Sequence, residues 1–152
     1  MRSIVLTILA ATLLLCTASP AQALPEPYAG IGLHTFGLPG KDSTTYSGML
    51  EGGIDDIIAK FGLGARLELP DWRPVLDLQL RYSLFKVPFV RVFVGAGAGI
   101  QRYAGWNGTV EGFLGARLSL GLPYIGATIG VAHWGGTDTT NPYGTLSVGL
   151  SF

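Results

Sequence analysis

The sequence predicts an all-β protein: one eight-stranded antiparallel up-and-down barrel. Three observations point there. After residue 23, apolar side chains recur at every second position, which is the strand signal, and no 3.6-residue stripe stands out. The composition is 48% hydrophobic and only 13% charged, with 23 glycines in 152 residues, whereas soluble domains carry roughly 25% charged residues. The connections alternate between polar, turn-rich stretches and very short ones, the rhythm of a barrel whose two rims differ. A chain of this length is expected to form one domain.

Eight segments carry the alternation. The first, PYAGIGLHTF, puts Ala29, Ile31 and Leu33 on one face. The second, TYSGMLEGGI, puts Tyr46, Gly48, Leu50 and Ile54 together and is the least regular. In the third, IIAKFGLGARLEL, Ala59, Phe61, Leu63, Ala65, Leu67 and Leu69 oppose Lys60, Gly62, Gly64, Arg66 and Glu68. In the fourth, VLDLQLRYSLF, Leu76, Leu78, Leu80, Tyr82 and Leu84 oppose Asp77, Gln79, Arg81 and Ser83. The fifth, FVRVFVGAGAGIQRY, sets Val90, Val92, Val94, Ala96, Ala98 and Ile100 against Arg91, Phe93, glycines and Gln101. The sixth, TVEGFLGARLSLG, sets Val110, Leu114, Ala116, Leu118 and Leu120 against Glu111, Phe113, Arg117 and Ser119. The seventh, YIGATIGVAHW, has Ile125, Ala127, Ile129 and Val131 on its apolar face, and the eighth, YGTLSVGLSF, has Leu146, Val148, Leu150 and Phe152. The longer connections are Gly37 to Thr44, Pro70 to Pro74, Ala104 to Asn107 and Gly135 to Tyr143. The short ones are Asp55-Asp56, Lys86-Val87-Pro88 and Leu122-Pro123.

The first 23 residues read as a cleaved secretory signal peptide, leaving residues 24–152 as the barrel domain. Arg2 is the positive start and Ala21-Gln22-Ala23 the small-x-small cleavage site. Ile4 to Leu15 is an apolar run of about a dozen residues, too short for the roughly 20 a membrane helix needs. The only cysteine, Cys16, falls in this leader, so the mature chain has no disulfide framework and no Cys-based zinc site. The formal net charge is zero, and losing Arg2 takes the basic count from 10 to 9 against 10 acidic residues. There is no basic footprint for nucleic acid.

Alternation alone does not say which face points outward. Three features favour an apolar exterior and a polar lumen. The polar face is mostly Gly, Ser and Thr. Its charges have both signs and suit a narrow lumen closed by ion pairs: Lys60, Arg66, Arg81, Arg91 and Arg117 with Glu51, Glu68, Asp77 and Glu111. Aromatics sit near segment ends, namely Tyr28, Phe36, Tyr82, Phe89, Tyr103, Tyr124 and Phe152, where interfacial girdles belong. The expectation is a transmembrane barrel, because only a closed sheet pairs every backbone group in lipid. Eight strands leave an interior just wide enough for side chains, and Phe93 and Phe113 face inward, so an open porin is not expected.

With its leader, the VGAGAGIQRY strand and the terminal LSVGLSF, the chain resembles the small outer-membrane β-barrel proteins of Gram-negative bacteria. The resemblance implies location in the cell outer membrane. It also implies contact with outer-membrane lipid and lipopolysaccharide, and assembly by the barrel-assembly machinery, which reads a terminal aromatic such as Phe152. A monomer is expected, with no nucleic-acid partner and no cofactor.

One stretch bears on chemistry. VAHWGGTDTTNPYG, Val131 to Gly144, resembles a degenerate lipid A 3-O-deacylase motif, whose family uses a Ser-His-acid set at the outer wall of an eight-stranded barrel. His133 matches the catalytic His and by parity faces outward. Gly135 stands where that family has Ser, Gly136 where it has Asn, and Tyr143 to Phe152 holds no Asp or Glu. Thr137 or Thr139 would be a displaced nucleophile. His34 faces inward as a lumen hydrogen-bonding residue with Glu51 the carboxylate in reach, and no metal set is expected. The sequence therefore favours a non-enzymatic outer-membrane protein with an envelope structural or surface-interaction role. The alternatives are a deacylase-like hydrolase centred on His133 and a soluble periplasmic small-ligand barrel.

Overall fold

A computed structural model describes residues 24–37, 44–69, 74–102 and 105–152. Eight antiparallel strands close into a barrel in chain order. They are β1 (Glu26–Gly37), β2 (Thr44–Ile58), β3 (Phe61–Glu68), β4 (Val75–Val87), β5 (Val90–Arg102), β6 (Trp106–Ser119), β7 (Pro123–Trp134) and β8 (Thr139–Ser151). Closure runs along β1 and β8, from Tyr28 opposite Ser151 to Phe36 opposite Tyr143. Each strand thus has two neighbours and the sheet has no free side. The expected leader, with Arg2, Cys16 and Ala21 to Ala23, and the girdle residue Tyr103 lie outside the described residues.

The barrel has two unlike ends. The turn end carries Glu26, Phe152 and the short links 59–60, 88–89 and 120–122, and the loop end carries the opposite strand ends Gly37 and Thr44, Glu68 and Val75, Arg102 and Trp106, with the link 135–138. Burial follows the two-residue period of the pleat. Along β4, Leu76, Leu78 and Leu80 are exposed while Asp77, Gln79 and Arg81 between them are buried. The exterior is a belt of aliphatic side chains, among them Ile31, Leu63, Leu78, Ile129 and Leu146. Among the described residues, the interior holds most of the charges and a few rings.

Glycine makes room for the rings. Gly95 faces Phe113 across β5 and β6, and Phe93 faces Gly115 two positions along. A Cβ on Gly115 would stand 2.5 Å from Phe93 Cε2, and one on Gly95 would stand 2.5 Å from Phe113 Cε2. The two rings meet edge to face with centroids 6.4 Å apart, and together they block the lumen.

Several expectations are corrected. Asp55-Asp56 is not a turn: β2 continues to Ile58, and the turn is Ala59-Lys60. Three β2 residues lie between the pairs Ile54–Leu63 and Ile58–Phe61, against one on β3. Asp56 absorbs the surplus at φ 56°, so Asp55 and Asp56 are consecutive yet both buried. Ala59 and Lys60 accordingly lie in the turn rather than mid-strand. On β4, an irregularity between Ser83 and Phe85 leaves Leu84 and Phe85 both exposed and turns Lys86 toward the lumen side. Asn141-Pro142 is not loop but the start of β8, with Pro142 opposite Val131. The β1 pairing ends one residue later, at Tyr143, so Pro142's missing N–H falls where β8 has no second partner. Tyr28 and Tyr124 are not girdle residues: each sits one position from an outward residue and is therefore buried inside. Phe89 and Phe152 are exposed at the turn end, and Trp106 is exposed at the loop end.

Candidate functional site: a three-layered charged interior and a rim histidine

The inward side chains form three layers. At the turn end, the β2 bulge presents two carboxylates to cations from β4, β5 and β6. Arg117 Nη1 lies 2.6 Å from Asp55 Oδ2, and Arg91 Nη2 lies 2.9 Å from Asp56 Oδ2. Lys86 Nζ lies 2.9 Å from the same Asp56 oxygen and also contacts Glu26. Arg91 reaches Glu26 Oε2 at 2.5 Å, and Ser83 donates to Asp56 Oδ1 at 3.2 Å. Three carboxylates thus face three cations.

The middle layer stacks guanidinium groups on rings. Arg117 lies 3.9 Å from the Tyr28 ring centroid and 4.6 Å from that of Tyr124. Arg81 lies 4.8 Å from Tyr28 and 5.0 Å from Phe93. These desolvated contacts are the strong form of the cation–π interaction. Tyr124 donates to Glu51 Oε1 at 2.8 Å, and Arg81 Nη2 lies 3.5 Å from Glu51 Oε2. Gln79 ties the layers together: its carbonyl accepts from Arg81 at 2.7 Å, and its amide donates to Glu111 at 2.7 Å.

At the loop end, Arg66 is surrounded by carboxylates. Its Nε lies 2.6 Å from Glu68, and its Nη2 lies 2.5 Å from Glu111 and 3.4 Å from Asp77. Thr109 donates to Asp77 at 2.8 Å. His34 Nδ1 lies 2.6 Å from Glu68, and its ring stacks on Tyr143 with centroids 4.8 Å apart. The expected partner of His34, Glu51, belongs instead to the middle layer, because β3 and not β2 brings the carboxylate beside it. Between these groups is a small cavity of about 10 Å³, lined by His34, Arg66, Glu68, Asp77, Glu111 and Trp134 among others, room for about one water molecule.

Of the residues expected in the lumen network, Arg66, Glu68, Asp77, Arg81, Arg91, Glu111 and Arg117 are all buried in it. Lys60 is half-buried in its turn and is not among the ion pairs above. Four participants were not foreseen: Glu26, Asp55, Asp56 and Lys86. For Asp55 and Asp56 the sequence signal was the Asp-Asp pair itself, which a turn reading absorbs. Breaking such a network is costly, since an uncompensated buried charge costs about 3–5 kcal/mol. Its chemistry is closure of the lumen. Among the described residues, no group of three or more His, Cys, Asp or Glu is placed to hold a metal ion.

His133 lies on the loop-end rim of β7, partly exposed, as parity expects. Its Nδ1 is 3.0 Å from Thr140 Oγ1, the residue opposite it on β8, and its Nε2 is 3.6 Å from Asp138 Oδ1 in the turn. Thr137 and Thr139 instead bond each other at 2.6 Å. Neither is the hydroxyl that meets the imidazole.

The fold and its interior define a class: a closed eight-stranded antiparallel barrel with an ion-paired lumen. No protein-family model, curated protein or solved structure matches the chain.

Proposed function

We propose that this is a non-enzymatic outer-membrane β-barrel protein with a plugged polar lumen and an envelope structural or surface-interaction role. One observation carries the reading: the polarity is reversed relative to a soluble barrel. Aliphatic side chains ring the exterior while arginines and carboxylates fill the inside. Water penalises an aliphatic exterior, whereas a hydrocarbon solvent does not and instead penalises any charge left outside. A soluble carrier needs an interior pocket of roughly 300–1,000 Å³. The cavity among the inward side chains described here is about 10 Å³.

The test is fractionation of Gram-negative cells making the full chain. The expected result is recovery in the outer-membrane fraction, resistant to carbonate and urea extraction. An unboiled sample should migrate differently from a boiled one in detergent gels. Recovery in the soluble periplasm without detergent overturns the reading.

The contact of His133 with Thr140 favours a second reading, a deacylase-like hydrolase at the outer rim. The mass of lipid A from the same cells separates the two. Loss of an acyl chain that disappears with His133→Ala supports the hydrolase. Unchanged lipid A beside a folded, membrane-embedded barrel rejects it.

A further inference from the structure

We propose that the loop-end rim of β5 and β6 holds an anionic, phosphorylated lipid headgroup between Arg102 and Trp106. The proposal rests on the outer-membrane reading above and names the partner of its exterior surface. Among the described residues, Arg102 is the one charged side chain on the outward face of a strand. The others point into the barrel, like Arg91 and Arg117, or sit in turns, like Lys60 and Asp138. Arg102 is the last residue of β5: Gln101 before it is buried, and Ile100 two positions back is exposed on the same side. No carboxylate pairs with it among the described residues. The exposed carboxylate of the β7–β8 turn, Asp138, is instead 3.6 Å from His133.

Directly opposite Arg102 stands Trp106, the first residue of β6 and 66% exposed. Facing residues of antiparallel strands bring their Cβ atoms to about 4.5–5.5 Å, so both side chains can address one ligand. The guanidinium offers a fork of N–H donors that fits two phosphate oxygens, and the indole adds a third donor with no acceptor of its own. Below them on the same face lie Ala98 and Ile100 of β5 and Val110 of β6, all exposed. A charge on an otherwise uncharged, apolar exterior is expensive unless it reaches the polar boundary, and the strand end is where it can.

The apolar floor selects the source of the phosphate. A single exposed arginine gains little from a free anion in water. A lipid adds its acyl chain along Ile100 and Val110 to the headgroup contact. The occupant is therefore a lipid whose phosphate sits at the rim, not inorganic phosphate.

The test uses the full mature chain refolded into phosphatidylcholine vesicles and titrated with lipid A, with folding followed on the same samples by heat-dependent gel migration. Lipid retained after detergent extraction is counted by native mass spectrometry. Wild type should retain lipid A in preference to phosphatidylcholine. Arg102→Gln should weaken that retention about fivefold, and Trp106→Phe, which keeps the ring and loses the N–H, should weaken it less. A folded, inserted Arg102→Gln protein that retains lipid A like wild type overturns the proposal. Inorganic phosphate displacing lipid A at comparable concentration also overturns it, by making the site a plain anion site. Failure of wild type to enter the vesicles at all counts against the membrane reading itself.

Discussion

Arg66 shows what a single residue does in this interior. It is the one guanidinium among Glu68, Asp77 and Glu111, at 2.6, 3.4 and 2.5 Å, and it is buried with them. Removing it leaves three carboxylates facing one another without a counter-charge. Arg66→Ala should therefore cost about 3–5 kcal/mol, read as a lower urea midpoint for unfolding in detergent micelles. Arg102→Ala, at an exposed strand end, should change the midpoint far less. Equal stability of Arg66→Ala and wild type would mean that the loop-end layer does not depend on this cation. Phe93 and Phe113 make the complementary point: each ring is admitted by a glycine across the strand pair, so size is matched residue against residue.

At the scale of the element, β2 matters most. Its bulge turns two successive aspartates inward and supplies Asp55 to Arg117 and Asp56 to Arg91 and Lys86. Asp56 combines two requirements, a backbone at φ 56° and a carboxylate for two cations. Asp and Asn tolerate that left-handed region better than Ala. Asp56→Asn should lose the ion pairs but keep the bulge, and Asp56→Ala should lose both. Unfolding midpoints should fall in the order wild type, Asp56→Asn, Asp56→Ala. If Asp56→Ala were no worse than Asp56→Asn, the backbone argument for the bulge would fail.

The whole molecule is a tube closed from within. Among the described residues, its middle layer is filled by Arg81, Arg117, Tyr28, Tyr124 and the Phe93–Phe113 pair. On the proposed membrane reading, wild type in planar bilayers should show no steady conductance. The triple variant Arg81→Ala, Phe93→Ala, Phe113→Ala empties the middle layer and should show small discrete openings. Steady conductance by wild type would contradict the plug. A silent triple variant whose fold is intact would mean that the outer layers seal the lumen alone.

The sequence by itself determined the strand count, the closed up-and-down order and which face of each strand is apolar. It could do so because the pleat has a period of two and most outward residues are aliphatic where their neighbours are polar or small. The same parity named seven of the buried charges, from Arg66 to Arg117, before any contact was known, and it placed His133 on the outer rim. Parity fails wherever a strand inserts a residue, and a one-residue slip exchanges the two faces. That is why Asp55-Asp56 read as a turn, Lys86 as a connection and Lys60 as lumen. Placing aromatics by their nearness to segment ends ignores that parity: Phe89 is exposed, whereas Tyr124, next to the outward Ile125, is buried. Pairing was decided only by tertiary structure: β3 beside His34 through Glu68, Thr140 rather than Thr137 or Thr139 at His133, and Trp106 opposite Arg102. The physical reason is that these partners come from different strands, and register between strands depends on bulges and closure that no single segment encodes.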